Sequence, residues 1–352
     1  MPVTPPPLLR ADLPRLAHEP AHTPAEPLGS GGAPGSGWPQ PDDGAALLSD
    51  APLHIVLNPG SGRPDSADCI ATLRQVLDAA GRRYELHALR HPRELARAGR
   101  RAVDAARASG GAVVAAGGDG TVNALAALVL PTGLPFGVLP QGTFNYVARA
   151  HGIPTDTEAA LQGLLNARIQ PVRVGLVNGR PFLVNASMGL YARALDDREE
   201  IKGRLGRSRP VAMLAGLLTV LRPHRNWVIQ LEVDGQATTV VTPTLFVGNN
   251  ALQLQQLGLD AAAQPCEDQL MAIMTAPMSR MQMLGLLLRG AAGRLAEAEA
   301  VTCLPFHTLT LSPRLPRKPR RLKVATDGET TFMQTPLRFT VAPQRLQLLV
   351  PA

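Results

Sequence analysis

Three short loops in this chain carry residues suited to holding phosphate. Gly117-Gly118-Asp119-Gly120-Thr121-Val122-Asn123 lies between the apolar run Gly111–Ala115 and a helix-like run, Ala124–Leu130. Asn58-Pro59-Gly60-Ser61-Gly62 follows the strand-like Leu53–Leu57, and Gly142-Thr143-Phe144-Asn145 comes soon after Phe136–Leu139. Glycine lets backbone approach a ligand closely, and a helix N-terminus offers unpaired N–H groups and a partial positive charge. Any one such loop reads equally well as a tight turn. Three of them at the carboxyl ends of successive strands mark the ligand-binding edge of an open parallel sheet.

Phosphoryl transfer requires positioned phosphates, a divalent cation and a base for the attacking hydroxyl. The chain has no Gly-x-x-x-x-Gly-Lys-Ser/Thr string, which excludes a P-loop enzyme. Backbone N–H groups around Gly60–Gly62 and Gly118–Thr121 would cradle phosphate oxygens, with the Thr121 and Thr143 hydroxyls as further donors. Asp119 would repel phosphate unless it faced a cation or the ribose, or capped a helix. Asp327-Gly328-Glu329 supplies two late carboxylates. Asp-Gly alone is an ordinary hairpin turn, and Asp234-Gly235 reads as one.

The elements that must position these residues follow two rhythms. From Leu53 to about Val177, strand-like runs alternate with helix-like ones: helices at Ser66–Ala80, Pro92–Ser109, Val122–Leu130, Phe144–Ala150 and Thr157–Asn166 separate strands at Leu53–Leu57, Tyr84–Ala88, Ala112–Ala115 and Phe136–Leu139. That alternation predicts parallel strands covered by helices. Beyond Val172 the pattern is mostly β, with strands at Trp227–Val233, Thr244–Val247, Leu270–Thr275, Thr308–Leu311, Leu322–Ala325, Leu337–Val341 and Leu346–Val350. One helix, about Ser279–Ala298, interrupts them. This second part reads as mostly antiparallel.

Composition bounds the partners. The first fifty residues hold 11 Pro and 6 Gly, with two basic against six acidic residues. Such a stretch cannot bury enough apolar surface to order itself, and without a continuous apolar core it is not a signal peptide. The remainder has 33 Lys and Arg against 22 Asp and Glu, which points to an anionic partner. Aromatics are 3% of the chain and no basic–aromatic motif appears, which argues against nucleic acid and for a nucleotide or an anionic membrane surface. Val211–Leu221 is the longest apolar run, broken only by Thr219, and too short to span a bilayer. It reads as a buried helix or as an interfacial one, its flanks being basic at Lys202, Arg204, Arg207, Arg209, Arg222 and Arg225. A second basic run, Arg314, Arg317, Lys318, Arg320, Arg321 and Lys323, precedes Asp327. Cys69, Cys266 and Cys303 predict neither a disulfide framework nor a zinc site, and the eight His show no metal-ligand spacing.

These motifs, taken in order, resemble the diacylglycerol kinase catalytic-domain family of bacterial lipid kinases and sphingosine kinases. The family's Asn-Pro-x-Ser-Gly loop matches Asn58, Pro59, Gly60, Ser61 and Gly62. Its Gly-Gly-Asp-Gly-Thr-x-Asn signature matches Gly117 to Asn123, and its Gly-Thr-x-Asn loop matches Gly142, Thr143 and Asn145. Asn185-Ala186-Ser187-Met188-Gly189 resembles a later strand, and Asp327-Gly328-Glu329 the late acidic turn. The likeness runs over roughly residues 53–350. It implies an α/β nucleotide-binding domain with a parallel sheet (51–177), then a β-sandwich that takes the lipid (178–344), with the site in the cleft between. The final strand (345–352) would return to the first domain.

The resemblance further implies an ATP- and Mg²⁺-dependent kinase phosphorylating a diacylglycerol-like or sphingoid-like lipid hydroxyl. The chain would be cytoplasmic and peripherally attached to an anionic membrane surface, and a homodimer is compatible with it. The phosphate-binding set would be Asn58–Gly62, Gly117–Asn123, Gly142, Thr143 and Asn145. Asp327 would be the base, with Glu329 assisting or replacing it. The family's acidic metal turn falls on Glu267-Asp268-Gln269-Leu270-Met271, so Asp268 would give Mg²⁺ a carboxylate and Leu270 a carbonyl. The chain departs from the family pattern in places: Ala124 and Tyr146 stand where acids are usual, Gln269 where glycine is, and the Thr expected near the end of the second strand is not evident around Arg90-His91. An NAD kinase-like enzyme would share the Gly-Gly-Asp-Gly turn but not the late acidic turn, and a non-catalytic sensor would fit the lost acids.

Overall fold

The computed structural model describes residues 50–59, 66–190, 192–193, 226–258, 265–266, 268–291, 294, 298–314 and 321–352. Sequence readings that fall on Gly60–Gly62, on Val211–Leu221 and its basic flanks, on Glu267, and on Arg317, Lys318 and Arg320 lie outside them.

The first sheet takes β1 (Leu53–Leu57), β2 (Tyr84–Ala88), β3 (Ala112–Gly117), β4 (Pro135–Pro140), β5 (Ala167–Val172) and β18 (Leu346–Pro351). Its order is β2-β1-β3-β4-β18-β5. Neighbours from β2 to β18 run parallel, and β5 is antiparallel to β18. Every residue of β1, β3 and β4 is buried. Helices cover both faces, so these central strands read as unbroken apolar runs rather than as alternation. On one face Val56 and Val113 pack with residues of α2 (Leu95–Ser109) and α3 (Asp119–Val129). On the other, Leu53 and Ile55 pack with α1 (Ser66–Ala79) and α5 (Thr157–Leu165). Helix α2 stops at Gly110, whose φ of 65° is the left-handed cap glycine adopts without strain.

Two six-stranded antiparallel sheets follow. One runs β10 (Gln236–Thr242), β9 (Trp227–Val233), β14 (Thr308–Pro313), β17 (Leu337–Val341), β6 (Gly175–Val177) and β7 (Arg180–Phe182). The other runs β13 (Val301–Phe306), β12 (Leu270–Thr275), β11 (Thr244–Gly248), β8 (Asn185–Gly189), β15 (Arg321–Thr326) and β16 (Glu329–Gln334). Alternate residues of both point into one shared core, among them Ile229, Leu231, Leu309, Leu311, Phe339, Met188, Leu245, Leu270 and Val324. That interdigitation defines a sandwich. Besides the short α4 (Tyr146–Ala150) on the first sheet, the described residues hold α6 (Ala251–Gln256), packed on β11, and α7 (Arg280–Ala291), the latter shorter than the helix expected over 279–298. Strand β6, read from the sequence with the first unit, pairs with β17 in the sandwich.

Candidate active site

The glycine loops meet through backbone that no side chain could share. A Cβ on Gly142 would lie 2.8 Å from Gly118 Cα and 2.9 Å from Asn145 Oδ1. A Cβ on Gly117 would lie 2.6 Å from the Thr121 side chain. Gly118, extended at φ −83° and ψ 178°, is the N-cap of α3, so the first-turn N–H groups of Asp119 to Thr121 lie at its open end. Asn58, just past β1, donates its amide to Thr121 Oγ1 at 2.9 Å and ties the first loop to the second. Val122 is buried within α3, and Asn123 is buried with its Oδ1 lacking a partner among the described residues.

Asp119 links the second loop to the third. Its carboxylate accepts the backbone N–H of Asn145 at 3.0 Å and of Tyr146 at 2.9 Å. It thus caps α4, a helix in the neighbouring loop rather than its own. Asn145 takes the left-handed conformation at φ 50°, and its side chain closes the loop by bonding both Gly142 N and Gly142 O at 2.9 Å. Burial raises the Asp119 carboxyl above its ordinary range, opposed by the N–H groups of Tyr146, Asn145 and Val147. Thr143 and Phe144 stay exposed and line a pocket of about 310 Å³ with Pro140, Gly142, Asn145, Arg149 and Thr155.

The sandwich contributes the tip of the β15–β16 hairpin. Asp327 and Gly328 both have positive φ, 48° and 87°, as a two-residue turn matched to strand twist requires. Asp327 does not stand free in the cleft. Its carboxylate accepts the backbone N–H of Leu183 at 2.7 Å and of Val184 and Asn185 at 2.9 Å each, and its own N–H bonds Asn185 O. The side chain is buried, and that burial pushes its carboxyl up to about 6 against the pull of the three N–H donors, with Asp119 raising it further. Glu329, one residue past the turn, is exposed and reaches the other domain. Its Oε1 lies 2.7 Å from where a Cβ on Gly120 would be, and its Oε2 is 3.6 Å from Arg180 NH2. The structure therefore gives the two acids different surroundings. The carboxylate beside the α3 N-terminus is Glu329, and the expected base Asp327 is bound into the backbone that leads into β8.

The expected metal turn sits apart. Asp268 is exposed and pairs with His307 Nε2 at 3.0 Å, while Leu270 opens β12, fully buried. β12 and β15 are three strand steps apart, about 14 Å at the usual spacing. Gln269 has no positive φ, so replacing the family glycine there imposes no strain. A magnesium ion at this turn would have to draw Asp268 away from His307 and keep most of its waters.

Sequence reasoning missed the residues that clamp the domain junction. Arg173 donates from Nε to Asn249 Oδ1 at 2.8 Å, from NH2 to Asn249 O at 2.9 Å, and from NH1 to the Cys266 carbonyl. Asn249 returns its amide to Arg173 O and Leu183 O. Asn250 caps α6, and Asn185 bonds Gln253 on that helix. The one local signal was the Asn249-Asn250 pair directly after a strand.

Comparison with known proteins agrees with this architecture. Residues 52–177 match the model of the diacylglycerol kinase catalytic domain, and residues 185–350 match the YegS C-terminal NAD kinase beta sandwich-like domain. A Pseudomonas aeruginosa protein named "Probable lipid kinase YegS-like" is 32% identical over 270 residues, covering 72% of this chain and 81% of that one. The chain belongs to the diacylglycerol kinase catalytic-domain family. A Bacillus subtilis diacylglycerol kinase of this family is 32% identical over 52% of the chain, and the match spans 60% of that relative. A Synechocystis relative is matched over 54% of its length. Two Bacillus anthracis crystal structures of diacylglycerol kinase type superpose with TM-scores of 0.66 and 0.60, at 19% and 15% identity. Each covers 86% of this chain and 97% of the other, which shows the same two-part fold.

Among the departures from the family pattern, Gln269 closes its own turn, its Oε1 accepting the Cys266 N–H at 3.3 Å, and Tyr146 serves the glycine loops. Its N–H donates to Asp119, and its ring stacks on Phe144 at a centroid distance of 5.7 Å. Among the described residues no helix is long and apolar enough to cross a membrane.

Proposed function

We propose that this protein is an ATP-dependent lipid kinase that transfers the γ-phosphoryl group to a lipid hydroxyl, diacylglycerol-like or sphingoid-like, at an anionic cytoplasmic membrane face. The observation that carries the reading is the approach of Glu329, from the sandwich, to Gly120 in the first turn of α3. A carboxylate beside a phosphate-binding helix N-terminus is where a base for an acceptor hydroxyl belongs.

In this reading ATP would arrive as its magnesium complex, the cation supplying charge neutralisation at the phosphates. Backbone N–H groups from Gly118 to Thr121 hold the phosphates, with Asn58 keeping Thr121 in place. The lipid hydroxyl lies between Glu329 and the γ-phosphorus. As the new O–P bond forms, the hydroxyl proton passes to Glu329 and the bond to the β-phosphate oxygen breaks, releasing ADP. Glu329 is the base because it is exposed at the cleft, and Asp327 is a positioning residue because three N–H groups engage its carboxylate. Asp119 holds the Gly142–Asn145 loop against Gly118. Asp268 and the Leu270 carbonyl would hold a separate magnesium ion that braces the sandwich.

Membrane attachment rests on the hairpin that carries these acids. Phe332 is 65% exposed, and its strand partner Lys323 sets an ammonium 5.7 Å from the ring centroid. An apolar ring beside a cation suits an anionic headgroup layer. ATP consumption measured against a panel of lipids in anionic vesicles tests the proposal. Turnover dependent on a hydroxyl-bearing lipid supports it. Turnover with soluble acceptors alone, or binding of ATP without turnover, overturns it.

A further inference from the structure

The outer strands of the first sheet bring together three side chains far from the glycine loops. β1 and β2 pair in register, His54 opposite Glu85 and Val56 opposite His87, which sets His54, Glu85 and His87 on one face. Their ligand atoms all lie within 4.8 Å of one another. His54 Nδ1 is 3.2 Å from Glu85 Oε2, and His87 Nε2 is 3.6 Å from Glu85 Oε1. A tetrahedral zinc ion with bonds of about 2.0–2.1 Å sets neighbouring ligand atoms roughly 3.3 Å apart.

Hydrogen-bond accounting shows what this cluster lacks. The Ser109 hydroxyl, at the end of α2, donates to the Ala105 carbonyl at 2.8 Å. Its oxygen is then the acceptor for His54 Nε2, 2.9 Å away, so the imidazole proton sits on Nε2. That leaves a lone pair on His54 Nδ1 facing the Glu85 carboxylate. In that arrangement His54 Nδ1 and Glu85 Oε2 are two acceptors 3.2 Å apart, a gap that a cation bridges. His87 Nε2 is buried with no hydrogen-bond partner among the described residues. The His54 side chain is 7% exposed and that of Glu85 57% exposed, which gives an ion a way in from solvent.

We infer that His54 Nδ1, His87 Nε2 and the Glu85 carboxylate form a divalent-metal site of the zinc class, with water as a further ligand on the open Glu85 side. Two imidazoles and one carboxylate are donors zinc accepts. Ser109 acts from behind as the partner that fixes the His54 tautomer. Asn58 lies four residue steps beyond His54, about 13 Å along the strand, so the site is distinct from the phosphate loops. A bound ion would fasten the edge strand β2 to β1 and to the end of α2.

Calorimetric titration of the full chain with ZnCl₂ tests this, after stripping with a chelator and in a Cys266→Ser background to remove an exposed thiol. One ion per chain is expected, with a rise in the thermal midpoint. His54→Gln and His87→Gln should each weaken binding at least about 100-fold, and Ser109→Ala by about 10- to 100-fold. Glu232→Gln, at an exposed carboxylate on the sandwich, should leave it unchanged. If buried His54→Gln fails to fold, the less buried His87→Gln carries the test. No saturable zinc uptake, or uptake undiminished in His87→Gln, overturns the site and leaves a hydrogen-bonded His54–Glu85 pair in its place.

Discussion

The Glu329 side chain of the sandwich and the backbone of Gly120 in the α/β unit occupy neighbouring space, with Glu329 Oε1 only 2.7 Å from the point where any Cβ on residue 120 would stand. Glycine at 120 is therefore what lets an acid from one domain reach the helix end of the other.

Glu329→Gln keeps that reach and removes the proton acceptor. Turnover should fall by about 100-fold or more while ATP affinity stays within about twofold. Steady-state kinetics with calorimetry on the same variant separates the two quantities. Wild-type turnover in Glu329→Gln would remove it from the chemistry.

Asp327 should show itself in stability. Its carboxyl is raised to about 6 by burial, above the ordinary 3.8, so it binds a proton more tightly in the folded protein. Such a group contributes most stability below its ordinary value, and that contribution fades as pH rises through about 6. The advantage of wild type over Asp327→Asn should be larger at pH 4 than at pH 7.5, by at most about 3 kcal/mol. Urea midpoints at both pH values measure it. A gap that widens toward neutral pH would mean the three N–H groups outweigh burial.

Gly142→Ala puts a methyl group 2.8 Å from Gly118 Cα, which is backbone and has to move. The loop should lift off the α3 N-terminus and ATP should bind about tenfold or more weakly, with the circular dichroism spectrum unchanged. Normal affinity would place the phosphates elsewhere.

Replacing Arg317, Lys318, Arg320 and Arg321 with Gln should lower affinity for anionic vesicles by about 100-fold or more at low salt, since each basic residue near such a surface contributes about 1 kcal/mol. Added salt should erase most of the difference. Co-sedimentation indifferent to lipid charge and to these substitutions would end the peripheral-membrane reading.

The fold class was legible because its signals are local. The buried strands β1, β3 and β4 announce themselves as apolar runs, and the three glycine loops sit directly after strands. Several of the strands that escaped the sequence reading share a cause. β5, β7 and β13 contain Pro171, Pro181 and Pro305, and each is the last strand at one end of its sheet. Proline lacks the ladder N–H, so the residue that hides a strand from pattern reading also protects an exposed edge. β16 was missed because its sequence, Glu329–Gln334, is largely polar and only Met333 of its side chains is buried. The meeting of Glu329 with Gly120, and of His54 with Glu85 and His87, depends on docking and register, which residue spacing does not encode.

β18 lies between β4 and β5, so the first sheet is sewn shut by residues 346–351. During synthesis on the ribosome, β4 emerges with an open edge and waits through the whole sandwich for its neighbour. The sandwich can gather first, and the α/β half becomes complete only afterwards. Assembly order is thereby coupled to quality control: a chain cut short within the sandwich carries all three glycine loops on an unclosed sheet, exposed to proteases and to edge-to-edge association.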